Sequence, residues 1–190
     1  MAEVLDLRLE EQLTMYHPDD QPFELEQLPD VFTRFRGKME KRSEVRDPLP
    51  EPEALAVPAG LQSDGVPTLA DLGVEAKVSD ARGVLPFKGG AVAAWERLDH
   101  YFWETKKLRV YKKTRNGLLG ADYSSKFSPW LALGCISPRE IHAQVRAFEN
   151  ENEKNEDTYW LIFELIWRDY FRYVAMRYGN RIFLKRGIKQ

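Results

Sequence analysis

Three hydroxyls fall within five positions at Ser124, Ser125 and Ser128, with Lys126 among them and Pro129 directly after. A serine followed by proline is a favoured way to begin a helix, because Ser caps the first N–H groups and Pro suits the first helical position. Hydroxyls, a lysine and a helix N-terminus together make an anion site, since unpaired N–H groups and the helix dipole both favour negative charge. A phosphate or pyrophosphate is the natural guest. The plainer reading is that these serines only cap a helix and form a turn. A second group lies downstream. Glu164 and Arg168 stand four residues apart with Trp167 beside them, so all three can share one helix surface. That spacing fits an ordinary helix ion pair. It also fits a carboxylate, a guanidinium and an indole at a cavity mouth, where an indole could stack on an extruded base.

Several elements must position these groups. Leu28–Arg42 reads as a helix with Pro29 and Asp30 at its start and Val31, Phe32, Phe35 and Met39 on one face. The chain opens on a candidate short helix in which Leu5, Leu7, Leu9 and Leu13 keep no single period, and Leu13–Phe23 then reads as loop. Asp47–Gly73, rich in proline and acids and without a period, reads as a connector, and 74–89 as a strand-like piece and a loop. Val92, Trp95, Leu98, Tyr101 and Phe102 recur at helical spacing to about Glu104. Asn116-Gly117 is a turn dipeptide. Ser137-Pro138-Arg139-Glu140 is a capping box, and the helix it opens turns Ile141, Val145 and Phe148 inward. A last helix, capped by Asp157 or Thr158, runs from about Tyr159 to Tyr178 with Gly179 past its end. Aromatics on almost every turn predict burial of Trp160, Phe163, Tyr170 and Phe171.

Composition sets bounds. With 190 residues, 43% of them hydrophobic and 12% aromatic, the chain has material for a real core. The net charge of −2 hides segregation: seven basic residues and one acid lie between Lys106 and Lys126. Such stretches meet phosphates or simply face solvent. The single Cys135 forms no internal disulfide, which suits a reducing, intracellular compartment; the organelle stays open, and no leader or apolar membrane span is read. His17, His100 and His142 have no ligand-like spacing, so no metal is assigned.

Tyr111, Arg115, the run Ser124-Ser125-Lys126-Phe127-Ser128-Pro129-Trp130-Leu131, Gly134 and Ser137 resemble the flavin-binding signature of the DNA photolyase and cryptochrome family. TRNGLLGADYSSKFSPWLALGCISPR resembles the DASH-type cryptochromes in particular, and YWLIFELIWRDYFRY (Tyr159–Tyr173) is similar to that family's next helix. The resemblance implies a mainly α chain: 1–46 as the end of an α/β antenna domain, 47–85 as an interdomain linker, and 86–190 as the first part of an all-helical FAD-binding domain. It implies FAD contacts from Tyr111, Ser124, Ser125, Lys126, Phe127, Ser128, Glu164 and Arg168. Glu164 and Trp167 would act catalytically, and Arg115, Glu164 and Trp167 would meet DNA. It further implies blue-light repair of cyclobutane pyrimidine dimers, with single-stranded DNA as partner and a folate antenna (methenyltetrahydrofolate) in full-length members. Signalling photoreception uses the same cradle. The family's remaining antenna and C-terminal parts are expected outside this chain, so weak FAD binding or none, and no repair, are expected of it alone, with the C-terminal half or another chain as partner. A flavin-free nucleic-acid-binding module and a helical interaction segment are the other readings. Two positions depart from the family pattern: Ala91 stands where an acid is usual, and Leu161 where some photolyases place tryptophan.

Overall fold

The computed structural model describes residues 13–54, 57, 59–60, 65–75, 80 and 82–188. The sequence-predicted start at Leu5–Leu9 lies outside them. Two compact units are present: one comprises residues up to Pro48 together with Phe87 onward, the other Leu49–Pro86. Among the described residues of the smaller unit, order comes from a turn in which Thr68 and Asp71 bond each other reciprocally, with Thr68 Oγ1 donating at 2.6 Å and Asp71 N–H donating back at 3.3 Å. No strand occurs among the described residues, at 74–89 or elsewhere.

The larger unit is built from six α-helices among the described residues: α1 Phe32–Arg42, α2 Ala91–Asp99, α3 Tyr111–Thr114, α4 Ser128–Ala132, α5 Pro138–Glu151 and α6 Glu156–Tyr178. α1 starts later than expected, with Val31 as its extended cap, so Val31 is exposed while Phe32, Phe35 and Met39 are buried. α5 opens on the expected capping box: Glu140 N–H donates to Ser137 Oγ at 3.1 Å and Ser137 N–H to the Glu140 carboxylate at 2.6 Å. Its inward face, Ile141, Val145 and Phe148, is fully buried. α6 begins earlier than expected. Asn155, not Asp157 or Thr158, caps it, accepting from Thr158 N–H at 2.9 Å. Asp157 and Thr158 are buried inside the first turn instead.

The helix expected to run to Glu104 continues as a π-helical turn, His100–Glu104, closed by Thr105 N–H to His100 C=O at 3.0 Å. One extra residue per turn lets the adjacent Tyr101 and Phe102 both face the core. Phe102 packs on Phe127 and Phe148 at centroid separations of 5.9 and 6.1 Å.

α6 is the spine. Phe35 of α1 packs on Tyr170 at 5.1 Å and Tyr173 at 5.8 Å. The segment before α1 is held to α6 by its backbone. Met15 and Tyr16 N–H donate to the two Asp169 oxygens at 3.0 and 2.9 Å, and Tyr173 OH donates to Tyr16 C=O at 2.8 Å. Phe171 departs from the expected burial, being 63% exposed, and Trp160 and Phe163 are only half-buried. Gly179 closes α6 at φ +50°.

Candidate functional site: a hydroxyl-lined cationic cavity

A cavity of about 300 Å³ opens between the serine strip, α4 and one face of α6. Its lining includes Tyr111, Ser124, Ser125, Lys126, Phe127, Ser128, Glu164 and Arg168, which are all of the residues the sequence nominated for a cofactor. Leu131, Ala132, Leu161, Leu165 and Arg172 complete it. The α6 contribution follows from helical spacing: 161, 164, 165, 168 and 172 recur every three or four residues and so share one face.

The serine strip is not a cap. α4 has only five residues, Ser128 is its first residue rather than its cap, and no side chain caps it. The expected Ser-Pro cap is therefore corrected, while the turn that was expected beside it is present at Ala121–Ser124. What shapes the strip is backbone conformation. Lys126 is left-handed at φ +58°, a region costly for a side-chain-bearing residue and found mostly where the surroundings enforce it. The Lys126 ammonium sits 3.7 Å above the Tyr123 ring. Past α4, Gly134 at φ +70° lets Cys135 N–H reach back to Trp130 C=O at 2.9 Å, a Schellman closure that needs the left-handed residue. Trp130 is anchored in turn by its indole N–H, which donates to Lys88 C=O at 2.8 Å.

A buried arginine stands behind the strip. Arg97 is 6% exposed and sends Nε to Ser125 C=O at 3.0 Å, Nη2 to Ala121 and Ser124 C=O at 3.0 Å each, and Nη1 to Asp122 at 2.7 Å. Asp122 also meets His100 at 3.1 Å, and His100 meets Glu104 at 2.9 Å. Burial works to raise the Asp122 pKa, but the bonds from Arg97 and His100 outweigh it and lower it. Hydrogen bonds to Glu104 and then Asp122 raise His100 above the ordinary imidazole value. Sequence reasoning passed over Arg97. The signal was present, since Arg97 lies at helical spacing with Ala94, Leu98 and Tyr101 on the apolar face of α2.

The cationic end of the cavity belongs to α6. Arg168 donates to Leu131 C=O at 3.1 Å and to Leu13 C=O. Burial, and next the charge of Arg172, lower its pKa. Arg172 Nε is buried with no hydrogen-bond partner among the described residues. Tyr111 is pushed up to about 12, by burial first and by the Glu164 charge second.

Two expectations about α6 are corrected. Glu164 pairs with Arg115 at 2.8 Å, not with Arg168. Trp167 does not line the cavity: its ring lies 3.5 Å from the Phe32 centroid at 10°, stacked, with Phe171 on it at 5.5 Å. At 100° per residue, position 167 points away from the shared direction of 164 and 168 far enough to meet α1 instead. Arg115 lies beside the site through Glu164, its guanidinium 5.7 Å from the Trp160 ring. Among the described residues no cluster of three or more His, Cys, Asp or Glu is placed to hold a metal, and no helix is long and apolar enough to cross a membrane.

A helical unit whose hydroxyl-lined cavity faces two arginines is what the fold and the site define, and comparison with known proteins narrows it. No family model matches the chain. Cryptochrome DASH of Gloeobacter violaceus is 52% identical over 176 residues, covering 93% of this chain and 35% of that protein. Cryptochrome DASH of Danio rerio is 50% identical over 178 residues, covering 93% and 34%. The crystal structure of a Synechocystis sp. PCC6803 cryptochrome superposes with a TM-score of 0.86 at 46% identity, over 93% of this chain and 37% of that one. The chain belongs to the DNA photolyase and cryptochrome family and is most like its DASH-type cryptochromes; its helical architecture is that of part of the family's helical domain. It spans about a third of the length of the relatives it matches.

Proposed function

We propose that the cavity is the phosphate-facing part of an FAD site in a DASH-type cryptochrome. One observation carries this: residues from two stretches separated in sequence, Tyr111 with Ser124–Ser128 and Glu164 with Arg168, meet around one cavity. The lining fits the group chemically. Lys126, Arg168 and Arg172 supply positive charge, and the unpartnered Arg172 Nε has a donor to give. The hydroxyls of Ser124, Ser125 and Ser128 add neutral donors, while Tyr111, Phe127, Leu161 and Leu165 supply apolar surface. A dinucleotide with a diphosphate between two ring systems matches that mixture. At about 300 Å³ the cavity stands at the small end of ligand sites. It suits the diphosphate region better than the whole cofactor, so affinity in this chain is modest.

Bound flavin supplies light-driven electron donation to a cyclobutane pyrimidine dimer, with single-stranded DNA as the substrate class; the protein's task is placement and electrostatics. Glu164, held by Arg115, presents a carboxylate able to accept from base N–H groups. Arg115 is the DNA-side cation. Trp167 becomes a stacking platform for a flipped base on release from Phe32. Residues 1–46 then represent the end of an antenna domain, 47–85 the connector and 86–190 the start of the flavin domain.

The test is an FAD titration of the purified chain followed by flavin fluorescence, with Ser128→Ala and Lys126→Ala beside it. Saturable binding that weakens several-fold in both variants is expected. Binding that ignores both substitutions, or no saturable binding, overturns the reading.

A further inference from the structure

The α2 side of the strip carries a device that the cofactor reading does not require. Arg97 stands outside the cavity lining, yet three of the carbonyls of the strip converge on its guanidinium: Ala121, Ser124 and Ser125. The fourth partner, the Asp122 carboxylate at 2.7 Å, comes from the same segment. A guanidinium is a rigid planar fork with donors fixed in direction, so it dictates where its acceptors point.

That direction has a consequence on the opposite side of the chain. No cis peptide occurs among the described residues, and in a planar trans peptide the N–H points opposite to the C=O. With the carbonyls of Ser124 and Ser125 drawn to Arg97, the N–H groups of Ser125 and Lys126 are turned away from it, towards the side on which these residues line the cavity. The next step in the backbone reinforces this. Lys126 at φ +58° is followed by Phe127 at φ −74°, ψ −12°. A left-handed residue next to a right-handed one gathers successive N–H groups into a concavity suited to an anion. An uncommon conformation at Lys126 persists only where neighbours over-determine it, and Arg97 is the buried group that fixes the residues immediately before it.

We propose that Arg97 is the positioning residue of the cavity: from behind, it fixes the 121–125 backbone so that main-chain N–H groups, as well as serine hydroxyls, are presented to a diphosphate. It acts through the strip and does not touch the ligand. This rests on the reading of the cavity as a dinucleotide site.

The test uses Arg97→Lys and Asp122→Asn in the full chain, with two independent readouts: amide hydrogen exchange without ligand, and FAD affinity by flavin fluorescence. A lysine keeps the charge, but its donors radiate from a single nitrogen and cannot span the acceptors that the planar fork of Arg97 fixes in direction. Expected for Arg97→Lys is faster exchange confined to residues 121–127, with α5 and α6 unchanged, and an FAD Kd at least tenfold higher. Asp122→Asn retains the carbonyl contacts and gives a smaller change of the same kind. Unchanged exchange at 121–127 or an unchanged Kd overturns the proposal. So does faster exchange spread evenly over all helices, which marks Arg97 as general core support. If the native chain binds no FAD, the functional reading fails, while the exchange pattern still decides whether Arg97 sets the strip. If Arg97→Lys does not fold, Asp122→Asn decides by the same two readouts.

Discussion

Glu164 and Arg115 meet at 2.8 Å, which turns the Glu164 carboxylate away from Arg168 one turn along its own helix. Both side chains are more than a quarter exposed, at 29% and 28%, so the pair contributes only ~0.2–1 kcal/mol. Its larger effect is electrostatic. Burial first, and the Glu164 charge second, hold Tyr111 up at about 12. Glu164→Gln therefore lowers the Tyr111 pKa while shifting Tm little. Carbon-13 NMR titration of labelled tyrosines, with Tyr111→Phe to assign the signal, checks both. An unmoved Tyr111 would mean that burial alone sets its value.

Asp169 accepts the N–H groups of Met15 and Tyr16 and is fully buried. Removing it by Asp169→Ala strands two buried donors, at about 1–3 kcal/mol each. Burial raises its pKa to about 7, against the backbone bonds that lower it. The folded state then takes up this proton before the unfolded state does. The contribution of Asp169 to stability grows as pH falls from above 7 towards 4. Denaturant unfolding of the native chain and Asp169→Asn at several pH values tests this: the difference between them should shift in favour of the native chain as pH falls.

His142 has the opposite sign. Burial, then the Arg146 charge, push it down to about 4. The unfolded chain takes the proton first, so stability present above about 6.5 is lost as pH falls towards 4. His142→Gln should flatten that part of the curve. Equal acid sensitivity in native and variant chains would place the loss elsewhere.

Periodicity made α1, α5 and α6 legible, because Phe32, Phe35, Met39 and Ile141, Val145, Phe148 repeat at helical spacing and are buried on it. The Ser137–Glu140 box was readable because a cap is a local motif. The cavity was readable through its serine strip and the α6 face. What escaped was set by partners distant in sequence. Arg97 drew no notice in the sequence because its partners, three carbonyls 24 to 28 positions away and the Asp122 carboxylate, are not local to it. Trp167 stands next to Arg168 and three residues from Glu164 in sequence, and the deciding partner was Phe32. The π-helical turn at His100–Glu104 answers to packing of Tyr101 and Phe102, which no local spacing reveals.

α2 begins at Ala91 after Gly90, with no side-chain cap and no acid in its first turn. Ala91 is exposed, so Ala91→Glu adds a charge near the helix N-terminus without a clash. A gain of ~0.3–1 kcal/mol is expected, shrinking with added salt, and is read from thermal unfolding at low and high ionic strength. A salt-independent gain would point to packing rather than the helix dipole.

Phe32 holds Trp167 against α1 by a stack at 3.5 Å and also meets the Phe163 edge at 5.3 Å. Such aromatic pairs contribute ~0.5–1.5 kcal/mol beyond buried area. Phe32→Ala opens a cavity and should cost ~3–5 kcal/mol. Phe32→Leu keeps most of the volume and removes the stack, so it frees Trp167 in a folded chain. Its indole emission should shift to the red and become quenchable by iodide, with Trp167→Phe identifying the signal among five tryptophans. If Trp167 is a platform for a flipped base, Phe32→Leu also binds thymine-rich single strands more tightly than the native chain, and Trp167→Phe in that background cancels the gain. A freed but DNA-indifferent Trp167 would make the stack on Phe32 its whole role.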